Sequence, residues 1–265
     1  MRPFLSDPTP FGVAHRGSRL LWPENTMEAF QGAVDLGYRY LETDLHQTSD
    51  GTLITFHDDT LERTTDGSGP VSTRTWAELA EFDAGFRFAA HEGYPRRGKG
   101  ARIPRLEDVF DAFPSIRLIL DLKEPGFEAE LASFLRSRGV EDQVIVGAFS
   151  DSRLARFRKA SEDRVATSSG PAETLALWTA ARIRRPLRSK AAALQIPEEF
   201  AFVNLPDRKL VEAAEAGGRQ VHVWTVNDPD HMTRLLDAGV HAIITDRPDI
   251  LKQLMESRGE WSGNT

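Results

Sequence analysis

The residues best suited to chemistry are two histidines, three acids and a lysine, all in the first half of the chain. In the run YLETDL, Glu42 and Asp44 are two apart, so in a strand they present their carboxylates side by side. Such a pair repels itself unless a cation joins it, and flanking Tyr40, Leu41 and Leu45 imply burial, where an unpaired carboxylate is costly. The favoured reading is a metal site; a pair of surface acids is the plainer alternative. LILDLK repeats the spacing, with Asp121 as a third oxygen ligand and Lys123 either holding a phosphoryl oxygen or pairing with an acid. Oxygen ligands in a chain without cysteine suit a hard divalent metal, Mg²⁺ or Ca²⁺.

His15 and His57 each titrate near neutral pH, and two such groups can share one displacement, one taking a proton while the other gives one. A lone histidine is more often structural, and that reading is kept for His46, His91, His222, His231 and His241. Arg16 offers a planar guanidinium fork that matches a phosphate, and Gly17 after it serves a turn of the backbone.

These groups need elements to hold them. FGVAHRG reads as a buried strand that ends at His15, and ENTMEAFQGAVDLG as the first helix, with Asn25 and Glu28 at capping-box spacing. YRYLETDL leads through the turn SDG into LITFHDD, an extended hairpin arm. From about 60 to 105 no period is sustained, which marks an insertion. Helix and strand then alternate to the end, and leaving out the hairpin arm there are eight strands. Their apolar runs indicate parallel strands covered on both faces, so the expected fold is one (β/α)8 TIM barrel over 1–265 with a small insertion after the second strand. A doubly wound open sheet is the runner-up. In the barrel, His15, Glu42, Asp44, Asp121, Lys123 and Trp224 all fall at carboxyl ends of strands, the rim where barrel enzymes carry their active sites.

Composition agrees with an ordinary globular domain: 40% hydrophobic and 28% charged residues, and no cysteine to form disulfides. A net charge of −7 argues against a nucleic-acid partner, so an anionic substrate would have to find local positive charge. No run approaches the length of a membrane span, and MRPFLSDPTP lacks the pattern of a secretory leader, so the expected location is cytoplasmic. The basic run ARIRRPLRSK reads first as a solvated helix end and loop.

Taken in order, AHRG, PENT, LETD, TSDG, FHDD, LDLK, VWTVND and ITD resemble the motifs of the glycerophosphodiester phosphodiesterases, over nearly the whole chain. The resemblance implies His15 and His57 as the acid–base pair, Glu42, Asp44 and Asp121 as metal ligands, Arg16 and Lys123 as phosphate contacts, and Trp224 in the alcohol pocket. The family usually has glutamate where this chain has Asp121, which bears on metal distance and metal choice. The implied reaction is hydrolysis of a small glycerophosphodiester to sn-glycerol 3-phosphate and an alcohol, by water or through a cyclic phosphate. The insertion would shape the leaving-group pocket, with Phe86, Phe88 and Tyr94 as candidate contacts. Alternatives are lysophospholipase D-type activity, a barrel lyase or isomerase, and a barrel that binds a phosphorylated ligand without turnover.

Overall fold

The computed structural model describes residues 3–263 except 201, 202 and 205. Strands β1 (Phe11–His15), β2 (Tyr40–Gln47), β3 (Leu53–Thr55), β4 (Arg117–Leu122), β5 (Val144–Gly147) and β6 (Ala166–Thr167) are followed by β7 (Ala193–Pro197), a short antiparallel pair β8 (Glu199–Phe200) and β9 (Val203–Asn204), then β10 (Gln220–Trp224) and β11 (Ala242–Thr245). Helices α1 (Met27–Asp35), α2 (Trp76–Leu79), α3 (Leu106–Ala112), α4 (Glu128–Arg138), α5 (Asp151–Ala160), α6 (Pro171–Arg182), α7 (Arg208–Ala216), α8 (Pro229–Asp237) and α9 (Pro248–Ser257) lie between them.

Eight parallel strands pair in the order β6, β5, β4, β2, β1, β11, β10, β7. A parallel bridge from Ser168 to Ala193, flanked by Ser169 N–H and Ala192 N–H donating across the same gap, joins β6 to β7 and closes the ring. The fold is the (β/α)8 barrel. The hairpin arm is real as well: β3 runs antiparallel to β2, with Leu45 opposite Thr55.

Alternate residues of each strand face inward, and Phe11, Val13, Tyr40, Ile119, Ile145, Ala193 and Ile244 pack into one interior cluster. Phe4 and Leu5 join it, and Tyr40 Oη–H and Gln220 Nε2–H donate to their carbonyls, which plugs the amino-terminal end of the barrel. The opposite strand faces pack against the helices in two larger clusters. With apolar layers below, the polar inward positions are left at the carboxyl rim.

One local expectation is corrected. The cap of α1 is Thr26, whose hydroxyl accepts from Ala29 N–H, and not Asn25. Asn25 adopts φ of 54° and turns its amide inward, so spacing to Glu28 pointed one residue too early. From β3 up to α3 the chain packs a core of its own, with Ile54 of β3 joined by Phe56, Leu61, Val71, Leu79 and Ile103. Arg97 lies 4.1 Å from the Phe86 ring centroid and 3.7 Å from that of Tyr94, so both rings carry a guanidinium.

Candidate active site

Strand register brings the predicted residues to one rim. His15 stands level with Glu42, and Asp44 level with Asp121. Gly17 makes the turn that follows β1: its φ is 77°, and a Cβ there would fall 2.6 Å from the backbone of Ala29.

His15 Nδ1 lies 2.7 Å from Asp246 Oδ1, while its Nε2 faces Glu42 Oε2 at 3.7 Å. Asp246 is wholly buried and also accepts from Arg19 Nε at 2.8 Å and Asn227 Nδ2 at 3.0 Å. Burial alone would raise this carboxyl, but those donors hold it down at about 2. An ionised carboxylate only accepts, so the His15 proton sits on Nδ1 and Nε2 is left for the site. Burial disfavours the His15 imidazolium; the Glu42 charge and the Asp246 hydrogen bond outweigh it, and the pKa is raised.

Asp44, like Asp246, has three side-chain partners. It meets Arg16 Nε at 3.0 Å and Lys123 Nζ at 2.8 Å, and accepts from Asn25 Nδ2 at 2.9 Å. Burial opposes its charge, yet Arg16 and Lys123 prevail and lower its pKa. Lys123 also donates to Asp121 Oδ2 at 2.7 Å, so two acids from neighbouring strands converge on one ammonium. Asp121 is nonetheless raised, by burial against the Lys123 charge.

Glu42 has no such partner among the described residues. Its carboxylate accepts from Arg16 N–H at 3.2 Å and otherwise faces the His15 ring. Burial first and the Asp44 charge second push it up to about 7. A buried carboxylate short of positive charge, beside two more oxygen donors, is the environment a hard divalent cation would relieve. Among the described residues no three such groups close on a common point as they stand. The donors are of the oxygen type a hard cation takes, but Lys123 bridges Asp44 and Asp121.

His57 follows β3. Its Nδ1 lies 2.6 Å from Asp58 Oδ1, and burial lowers its pKa against the pull of Asp44. Arg63 clamps Asp58 at 2.5 Å and Glu24 at 2.7 Å, and Glu24 in turn accepts from Arg16 at 2.8 Å. A continuous ionic chain thus runs from His57 through Asp58, Arg63, Glu24 and Arg16 to Asp44. A shallow surface depression beside it is lined by Glu24, Phe56, His57, Arg63 and Ile103 among others. Trp224 stands at the rim edge-to-face with Phe149, their centroids 5.3 Å apart, and Phe149 is 67% exposed.

Asp246, Glu24, Asn25, Asp58, Arg63 and Phe149 were not among the residues the sequence marked for the site; Asn25 was read only as a helix cap. The motifs PENT, FHDD and ITD contain four of them, and Asp246 continues the inward period of Ala242 and Ile244, so a signal existed there. Arg63 lies in the aperiodic segment and carried none.

The model of the glycerophosphoryl diester phosphodiesterase family matches residues 15–250. A Mycobacterium tuberculosis protein named probable glycerophosphodiester phosphodiesterase 2 is 36% identical over 98% of this chain and 96% of its own length. The glycerophosphodiester phosphodiesterase of Caldanaerobacter subterraneus is 32% identical over 93% of this chain and 98% of its own. Among solved structures, an Oleispira antarctica phosphodiesterase in complex with the product sn-glycerol-3-phosphate superposes with a TM-score of 0.72 at 26% identity, covering 94% of this chain and 97% of that one. A glycerophosphoryl diester phosphodiesterase domain from Mycobacterium tuberculosis superposes with a TM-score of 0.81 at 25% identity, covering 93% and 99%.

Proposed function

The chain belongs to the glycerophosphoryl diester phosphodiesterase family and is a phosphoric diester hydrolase, and we propose that it works through His15 and His57 with a divalent cation held by Glu42, Asp44 and Asp121. The observation that carries this reading is the register of the rim, His15 level with Glu42 and Asp44 level with Asp121, beneath a Glu42 carboxyl pushed up to about 7.

In the proposed step, a water or substrate hydroxyl oxygen forms the new bond to phosphorus while the bond to the leaving alcohol breaks. One imidazole takes the nucleophile's proton and the other supplies a proton to the departing alkoxide. Each ring is held by a carboxylate at Nδ1, Asp246 for His15 and Asp58 for His57, which leaves the two Nε2 atoms to exchange those protons. Lys123 and Arg16 bring the positive charge that an anionic diester needs in an acidic protein. The cation, when bound, would neutralise charge gathering on the phosphoryl oxygens. With water as nucleophile the products are sn-glycerol 3-phosphate and an alcohol; with the substrate hydroxyl the alcohol leaves first and a cyclic phosphate remains, which water then opens to sn-glycerol 3-phosphate in a second displacement. The exposed Phe149 beside Trp224 favours a second substrate class, lysophospholipids, whose chain could lie against those rings.

Release of sn-glycerol 3-phosphate from glycerophosphocholine should stop on chelation and return on adding Mg²⁺ or Ca²⁺. Calorimetry should show cation binding to the resting protein that Glu42→Gln weakens. Full turnover in chelator would remove the cation from the account.

A further inference from the structure

The motif that the site does not absorb is the basic run at the end of α6. Leu177 and Ala181 of this helix pack into the barrel wall. The opposite face presents Ala172, Leu175, Ala176 and Thr179 to solvent, with Leu175 64% exposed. A surface helix normally turns its polar side outward. Here the outward side is apolar, and the chain then leaves it through Ile183, Arg184, Arg185, Pro186, Leu187 and Arg188, all exposed. Ile183 is 59% and Leu187 40% exposed.

The charge of this patch is opposite to that of the molecule. No acid occurs between Glu173 and Glu198, in a chain whose net charge is −7. The nearest acids are already engaged: Glu173 by Arg158 at 2.8 Å, Asp207 by Arg182 at 2.9 Å, and Asp163 by Lys190 at 2.7 Å. Arg184, Arg185 and Arg188 have no ion pair among the described residues.

We propose that the outer face of α6 and the loop 183–188 form a docking surface for an anionic lipid bilayer. The two halves of the patch ask for different things, and a lipid surface supplies both. Leu175, Ile183 and Leu187 gain by leaving water for the boundary of the acyl region, while three interleaved arginines pair with anionic head groups. A nucleic acid would meet the arginines and leave the aliphatic side chains wet. A second copy placing the same patch against itself would set arginine against arginine. Among the described residues no helix is long and apolar enough to cross a membrane; the attachment proposed for this patch is peripheral. A helix lying in the interface would set the barrel on its side, at the surface from which lipid-derived diesters are shed. The inference does not depend on the metal or histidine assignments.

The test is co-sedimentation of the intact protein with vesicles of phosphatidylcholine, with and without phosphatidylglycerol as roughly a third of the lipid. The protein should partition onto the anionic vesicles, less so at high salt, and the combined variant Arg184→Ser, Arg185→Ser, Arg188→Ser should lose on the order of 100-fold in partitioning, three charges at about a factor of five each. Its hydrolysis of glycerophosphocholine in solution should be unchanged, since none of these residues lies at the rim, and this also reports that it is folded. Because the chain has no cysteine, Leu187→Cys carries a single environment-sensitive dye, whose emission should shift to the blue on anionic vesicles. Absence of partitioning, equal partitioning by the triple variant, or a dye that stays in water would each overturn the proposal. So would a DNA duplex that binds the patch as tightly as the vesicles do.

Discussion

Asp246 Oδ1 lies 2.7 Å from Nδ1 of His15, although the two residues are 231 positions apart. The first and last strands of the barrel are neighbours, with Ala14 level with Thr245, and closure of the ring is what makes this pair. The carboxylate fixes both the tautomer and the direction of the imidazole, so the proposed exchange of protons at Nε2 would depend on a wholly buried residue. Asp246→Ala should therefore lower kcat on the order of 100-fold or more with KM nearly unchanged, the scale of a mispositioned general acid or base. Asp246→Asn should not recover the loss: Arg19 and Asn227 both donate to Oδ2, so the amide oxygen is held there and the NH2 faces His15 Nδ1, which favours the other tautomer. Steady-state kinetics on glycerophosphocholine decide it; a loss confined to KM would contradict the positioning role.

Arg63 plays the corresponding part for His57, at one remove. It grips Asp58 and Glu24 together, but it is itself nearly half exposed, so the pairs add little to stability. Arg63→Ala is expected to change the unfolding free energy by less than about 1 kcal/mol while reducing kcat about 10-fold, since both the ring and Arg16 lose a support. Denaturation and kinetics on the same preparation separate the two effects.

His222 sits inside the barrel, away from the rim. Its Nε2 lies 3.0 Å from Gln220 Oε1 and its Nδ1 3.4 Å from Gln195 Nε2, a pattern suited to the neutral ring. Burial, with some help from His241, lowers its pKa to about 3. The folded value is below the unfolded one, so between about pH 6.5 and 3 the unfolded chain binds the extra proton. Stability from this group is complete above about pH 6.5 and falls with acidification by about 1.4 kcal/mol per pH unit. Denaturant midpoints at neutral pH and near pH 5 should show wild type losing about 2 kcal/mol more than His222→Gln. Equal slopes would mean that the ring is solvated or already charged.

Gly17→Ala should be costly for reasons of backbone and space together. A φ of 77° disfavours any side chain, and the new methyl would overlap Ala29 of α1. A loss of at least about 2 kcal/mol in unfolding free energy is expected, with activity reduced because Arg16 and the α1 entry shift. A variant as stable as wild type would show that the turn after β1 relaxes freely.

Legibility followed period. The alternation of buried strands with amphipathic helices disclosed the barrel and its eight strands, and the two-residue spacing in LETD and LDLK placed three acids and Lys123 on inward faces. What escaped were partners whose position depends on ring closure or on aperiodic chain. The pairing of Asp246 with His15 is legible only once β11 is known to lie against β1, and Arg63 belongs to a segment packed around its own small core. Asn25 misled because a residue with a left-handed backbone cannot cap a helix in the ordinary way, whereas Thr26, extended, does. Lys123 was open between an anion contact and an ion pair; in the resting protein it pairs with two acids at once.

The central claim is that two imidazoles divide the proton traffic of phosphodiester hydrolysis. The most direct measurement is release of sn-glycerol 3-phosphate from glycerophosphocholine by His15→Ala and His57→Ala, each confirmed folded by its thermal transition. The account predicts that each variant loses at least about 100-fold in kcat. Turnover near the wild-type rate by either one would contradict it.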